Sequence, residues 1–436
     1  MRRTIRWGLV AVLLMAGTLQ AARKDTTAAE GYKIHVVTDR AEALYSVGDP
    51  VVFTITLKKN DAPVTEGTIQ VVLSNDGAEE LDRKTLEITG AALSVTGTRD
   101  TPGFLRCQAT YELPSGKRIY ALGGAGFDPE KIQASLPPPD DFDAFWAHQI
   151  ARLDEVPMNV KLSPVDSDRP TVELFDITID CPGGAPVRGY FARPRNATSG
   201  SLPILLSLHG AGVRSSRKEP MAALAATGIL TMDINAHGIE NGRPDAFYEG
   251  LANGKLKGYP FRGKNNREES YFLGMFLRLY RAMEFLMARP EWDGKVLGVW
   301  GSSQGGGQTL AAAGLNPKVN IFLAGVPALC EHTGPVNGWP RFLKPGREEK
   351  PDPAVFRSAR YFDGMNFATR TKARALLTVG FIDNTCRPTS VYAAYNNLQG
   401  PKEMMTFPLM GHEYHVEMLN HFMVQFREEV EKAHAE

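Results

Sequence analysis

Apolar and polar residues alternate with a period of two early in the chain. Val51-Val52-Phe53-Thr54-Ile55-Thr56-Leu57 and Gly67-Thr68-Ile69-Gln70-Val71-Val72-Leu73 follow this rhythm, and residues 103–111 read as another strand. Such alternation predicts strands with one face buried and one face wet. Turn-forming clusters, Asn60-Asp61-Ala62-Pro63 and Ser74-Asn75-Asp76-Gly77, separate them. Short strands at this spacing predict an antiparallel, immunoglobulin-like β-sandwich over residues 23–127. Roughly 100 residues can fold as a unit. The segment carries no catalytic cluster and reads as a spacer or packing module, with glycan binding or dimerisation as other uses.

Beyond a Pro-rich linker at 128–140, the pattern changes. Residues 141–153 place Phe142, Phe145, Trp146, Ile150 and Leu153 on one helical face. Residues 172–180 and 187–193 read as a hairpin. Unbroken apolar runs follow, among them Pro203-Ile204-Leu205-Leu206-Ser207-Leu208 and Ala375-Leu376-Leu377-Thr378-Val379-Gly380. Runs of this kind fit strands of a parallel sheet, covered on both faces. With a helix predicted over 271–288 and a strand over 319–326, they predict an α/β fold for 141–436. That fold is a mostly parallel sheet flanked by helices. Residues 241–269 lack periodicity and are expected to form a loop insertion near the site mouth. Residues 331–357, rich in Gly, Pro and charge, read as a lid or interface excursion.

The N-terminus carries Arg2, Arg3 and Arg6, an apolar core from Trp7 to Met15, and small residues near Ala21. This predicts a signal peptide over 1–22, a secreted or periplasmic protein, and no stable membrane span after processing. Lys plus Arg number 49 and Asp plus Glu 49, a balance that argues against nucleic-acid binding. The four cysteines, Cys107, Cys181, Cys330 and Cys386, fix no disulfide pairing.

The chemistry concentrates at Gly301-Ser302-Ser303-Gln304-Gly305-Gly306, between the apolar run 296–300 and a small-residue run. A bare G-x-S-x-G also arises by chance. Here it lies between a strand and a helix, so it predicts a sharp turn with Ser303 as an exposed nucleophile. Asp383 follows the strand 375–380 and is the candidate acid. Asp363 and Asp352 are alternatives that follow no clear strand. His412, after the short strand 404–409, is the candidate base. His415, expected inside the next helix, is its rival. The order Ser, Asp, His is that of α/β-hydrolases. The oxyanion hole is assigned to the N–H groups of Gln304 and Ala211. His209 is expected to shape that loop without doing chemistry. No metal cluster or cofactor motif is read.

The hydrolase part, from about Pro137 to the C-terminus, resembles the acetyl xylan esterase and cephalosporin C deacetylase family, carbohydrate esterase family 7. The resemblance rests on residues 138–146, the Gly-Ser-Ser-Gln-Gly-Gly turn, Phe381-Ile382-Asp383, Ala393-Ala394-Tyr395-Asn396, and Gly411-His412-Glu413. It implies Ser303, Asp383 and His412 as the triad and an acetylated carbohydrate, such as xylan, as substrate. It also implies a homo-oligomer. Two positions depart from the family pattern. His237 stands where an arginine is expected, and Ala211 where an aromatic is usual. A prolyl oligopeptidase-type serine peptidase is one alternative, although residues 23–127 are too few for its propeller. A non-catalytic glycan-binding protein is the other.

Overall fold

A computed structural model describes residues 26–343 and 351–435. Residues 1–22, expected to form a signal peptide, lie outside the described residues. Residues 26–127 form two five-stranded sheets. Tyr32–Thr38 and Val51–Lys59 lie in the first and bury every second side chain. Thr68–Asn75, Gly103–Glu112 and Arg118–Phe127 lie in the second. Ile34, Val36, Phe53 and Ile55 of one sheet meet Val71, Leu73, Cys107 and Ala121 of the other in one apolar cluster.

Two of these strands escape a reading by alternation. Glu79–Glu87 is an edge strand, exposed on both faces, so it has no apolar side to show. Its charges suit an edge that must not pair with another chain. Arg118–Phe127 is buried on both faces over its last residues. One face covers the apolar cluster between the two sheets, and the other lies against the α/β unit. Gly124 marks that approach, because a Cβ there would sit 2.3 Å from the Phe381 carbonyl oxygen.

The remainder is an α/β-hydrolase-type unit around a nine-stranded sheet. Lys161–Pro164, Val172–Ile179 and Val187–Pro194 pair antiparallel at one side. Leu230–Ile234, Leu202–Leu208, Trp292–Ser302, Ile321–Gly325, Arg374–Gly380 and Lys402–Phe407 then run parallel, in that spatial order. Helices Phe142–Asp154, Tyr271–Met287, Gln304–Leu315 and Pro388–Asn396 cover one face. Lys218–Ala225 and Val416–Ala435 cover the other. The central strands are therefore dry on both sides, which is why they read as unbroken apolar runs.

Three expectations need correction. Segment 241–269 is not all loop, since Asp245–Asn253 is a helix. It buries Tyr248 alone, so it leaves no apolar stripe in the sequence. In the helix Phe142–Asp154, Gln149 rather than Ile150 is fully buried, and its amide donates to Glu268 at 2.7 Å. The excursion 331–357 contains the start of a helix, Pro353–Ala359, capped by Asp352.

Candidate active site

Trp292–Ser302 ends at a turn whose apex is Ser303, with φ 58° and ψ −122°. A positive φ is costly for serine and persists only where the surroundings fix it. Here its N–H donates to Gly325 O at 2.8 Å, and its carbonyl accepts from Gly307 and Ala328. Helix Gln304–Leu315 starts immediately afterwards and passes close to the neighbouring strand. A Cβ on Gly305 would lie 2.2 Å from Leu208 O, and one on Gly301 2.6 Å from the same atom. These two contacts explain the glycines that flank Ser303.

The loops after Arg374–Gly380 and Lys402–Phe407 bring Asp383 and His412 to this turn. His412 Nε2 lies 2.9 Å from Ser303 Oγ, and His412 Nδ1 lies 2.7 Å from Asp383 Oδ2. The Asp383 side chain is 0% exposed and that of His412 is 28% exposed. Asp383 Oδ1 accepts from the N–H groups of Thr385 at 2.6 Å and Cys386 at 2.9 Å. The acid and base loops are stitched together where Ile382 N–H donates to Met410 O. Gly380 permits this crossing, because a Cβ there would meet Met410 O at 2.3 Å.

Gln304 is the first residue of its helix, so its N–H has no intrahelical acceptor. The loop 209–212 passes beside Ser303, since a Cβ on Gly210 would lie 3.6 Å from Ser303 Cβ. Arg214 holds the Gly210 and Ala211 carbonyls at 3.0 and 3.2 Å. His209 is buried and supports the loop. Its Nε2 accepts from Ala236 N–H at 3.1 Å, so Nδ1 carries the proton and donates to Gly210 O at 2.7 Å. His237 donates from Nε2 to Gly212 O at 3.2 Å and accepts from the Tyr271 hydroxyl at 2.7 Å. Burial pushes both imidazoles down to about 3, so they are neutral struts.

Sequence reasoning missed Arg214, Tyr259 and Tyr271. Tyr259 donates to the Gln304 side chain and sets its ring against His237. It lies in the segment read as aperiodic, and nothing in its neighbours marks it. The alternative acids have other work. Asp352 caps a helix through Ala354 N–H at 2.8 Å, and buried Asp363 accepts from the N–H groups of Glu331, His332 and Met365. His415 precedes the helix Val416–Ala435 rather than starting it, and stacks on Phe407.

Among the described residues, Asp383, Cys386 and His412 bring ligand atoms within 4.8 Å of one another. Burial drives the Cys386 thiol well above its ordinary range, which disfavours the thiolate a metal would need. All four cysteines are free and buried. Among the described residues, no helix is long and apolar enough to cross a membrane.

The arrangement of sheet, turn and loops defines a carboxylic ester hydrolase of the α/β-hydrolase type. More narrowly, the chain belongs to the acetyl xylan esterase (AXE1) family, whose sequence model matches residues 130–430. It is 30% identical over 334 residues to acetyl esterase Axe7A of Xylanibacter ruminicola, covering 74% of each chain. Among solved structures it is similar to the acetyl xylan esterase of a Paenibacillus species (28% identity, TM-score 0.59). That match covers 69% of this chain and 98% of the other. It is also similar to acetyl xylan esterase 1 of a Thermoanaerobacterium species (26%, TM-score 0.59; 68% and 97% covered). Both solved chains are matched almost whole by about two thirds of this one, and the family match begins after the two N-terminal sheets.

Proposed function

We propose that the protein removes acetyl groups from carbohydrate esters through a Ser303-His412-Asp383 triad. The observation that carries this reading is the unbroken hydrogen-bond line from Asp383 Oδ2 through His412 to Ser303 Oγ. In this reaction Ser303 Oγ attacks the acetyl carbonyl carbon as His412 Nε2 takes its proton. Asp383 holds the imidazole in the required tautomer and stabilises its charged form. The tetrahedral oxyanion is held by the N–H groups of Gln304 and Ala211, where losing one donor costs about 3 kcal/mol. The C–O bond to the sugar breaks, and the leaving oxygen takes the proton from His412. Water, deprotonated by His412, then cleaves the acetyl-serine to acetate and free Ser303.

Acetylated xylan or a related oligosaccharide is the proposed substrate, supported by the family and by the similarity to an acetyl esterase and an acetyl xylan esterase. We further infer that residues 1–22 direct secretion or periplasmic export. The N-terminal sheets, proposed as an immunoglobulin-like sandwich over 23–127, then join the catalytic part at 128–140.

The test is acetate release from acetylated xylan and from a small aryl acetate, with Ser303→Ala alongside. Loss of release in the variant supports the triad. Equal release by wild type and variant removes Ser303 from the chemistry. Release from the aryl ester alone removes xylan as the substrate.

A further inference from the structure

We propose that Arg106, on the N-terminal sandwich, is a positioning residue for Asp383, which makes the sandwich a working part of the active site. The inference rests on the triad reading given above. Arg106 belongs to the strand Gly103–Glu112, yet its guanidinium reaches across the domain boundary and is 2% exposed. Its Nη2 donates to the carbonyl oxygens of Asp383 at 3.0 Å and Phe381 at 3.3 Å. Its Nη1 donates to the Asn384 side chain. Three residues of the acid loop, Phe381, Asp383 and Asn384, therefore hang on one side chain from the other domain.

The same corner of the sandwich grips the far end of that loop. Asp76, fully buried, pairs with Arg106 and accepts from Thr389 N–H at 3.0 Å through its other oxygen. Arg387 donates to Gly77 O at 2.8 Å. The Phe104 ring meets Phe381 edge-on at 4.9 Å, and Gly124 lets the strand backbone approach Phe381 O. The donors to the Asp383 carboxylate, Thr385 and Cys386 N–H, belong to the loop itself and move with it. Registration against His412 needs anchors outside the loop, and Arg106 supplies donors at the Asp383 peptide.

A surface meant only for adhesion would be served better by apolar groups, because desolvating an ion pair costs several kcal/mol per ion. What the buried pair adds is direction, since the fixed fork of Nη1 and Nη2 donors sets the position of several acceptors at once. Position matters here because misplacing a catalytic group by about 1 Å costs on the order of 100-fold in rate.

The test uses the full chain, an aryl acetate, and the variants Arg106→Gln and Asp76→Asn, with thermal melts to establish folding. Arg83→Ala, on the exposed edge strand of the same sheet, is the control and keeps wild-type kcat. The folded site variants are expected to lose about 10- to 100-fold in kcat with KM within about twofold. The low-field proton resonance of the His412–Asp383 hydrogen bond should move or broaden with them. A folded variant with wild-type kcat and an unchanged resonance overturns the proposal.

If both variants fail to fold, Asn384→Ala removes the exposed acceptor alone. It is expected to cost roughly threefold in kcat, from one lost hydrogen bond. Wild-type kcat and resonance there overturn the proposal equally. Activity in Ser303→Ala sinks the triad reading instead. An inactive Ser303→Ala beside a normal Arg106→Gln sinks this inference alone.

Discussion

Tyr259 donates its hydroxyl hydrogen to the side-chain oxygen of Gln304 across 2.5 Å, and both residues are buried. The contact ties the segment 241–269 to the residue that follows Ser303. Tyr259→Phe leaves the Gln304 oxygen buried without this donor, at a cost of about 1–3 kcal/mol. If Gln304 N–H serves the oxyanion, part of that cost falls on the transition state. The expected outcome is a kcat lower by about 5- to 10-fold with KM little changed, beside a lowered melting temperature. A variant that melts early but turns over normally would show that the contact serves stability only.

Ser303 carries backbone strain that glycine would not feel. Ser303→Gly and Ser303→Ala both remove the hydroxyl, and each is expected to lower kcat by at least about 10³-fold. They should differ in stability. At φ 58° and ψ −122° glycine relieves strain worth about 1–3 kcal/mol, whereas alanine keeps it. Denaturant unfolding of the two variants side by side measures the gap. Equal stability would mean the turn stores no strain at Ser303.

Glycine to alanine changes should have opposite signs at two helical positions. Gly250, in the helix Asp245–Asn253, has nothing within 4 Å of a built Cβ. Gly250→Ala is expected to stabilise by roughly 0.5–1 kcal/mol. Gly305 would place a Cβ 2.2 Å from Leu208 O, a backbone atom that cannot rotate away. Gly305→Ala should force the turn apart, lower the melting temperature and reduce activity together. A neutral Gly305→Ala would contradict the close approach of helix and strand.

What could be read from the sequence depended on whether burial left a local trace. Leu202–Leu208 and Arg374–Gly380 are covered on both faces, so each reads as an apolar run. The turn at Ser303 is legible because close backbone contact forces glycine at 301 and 305. Asp383 and His412 are legible as residues just beyond strand ends, and the His412 ring lies between Asp383 and Ser303. Glu79–Glu87 left no trace because neither face is buried. Tyr259 could not be found, since its partner Gln304 is 45 positions away and the bond between them has no periodicity. Arg106 is the extreme case. Its strand neighbours mark a residue of the N-terminal sheets, while its acceptor at Asp383 is 277 positions distant. Contacts between the N-terminal sheets and the α/β unit are fixed by the final packing and leave no pattern along the chain.

The last prediction concerns acid. His209, His237 and His332 are buried, and burial pushes each imidazole down to about 3. In the unfolded chain each titrates near the ordinary value of about 6.5. Between those values the unfolded chain binds more protons than the folded one, so stability falls as pH drops through the window. It is fully present above about pH 6.5 and is lost progressively toward about pH 3. Glu331 and Asp363 work the other way. Burial raises both carboxyls, and the Asp363 charge raises Glu331 further, so they favour the fold at low pH. A wild-type profile therefore mixes two signs, and a variant is needed to separate them. His332 is suited to this, because its ring lies 4.8 Å from that of Phe342 and takes no part in the hydrogen-bond line from Asp383 to Ser303. His332→Phe removes one proton-binding site and keeps an aromatic ring in place. Relative to wild type, it should gain up to about 1.4 kcal/mol for each pH unit below about 6.5. Denaturant unfolding of both proteins from about pH 4 to about pH 7 gives the difference directly. A gap that stays constant across that range would show that the buried His332 imidazole is not proton-linked to folding.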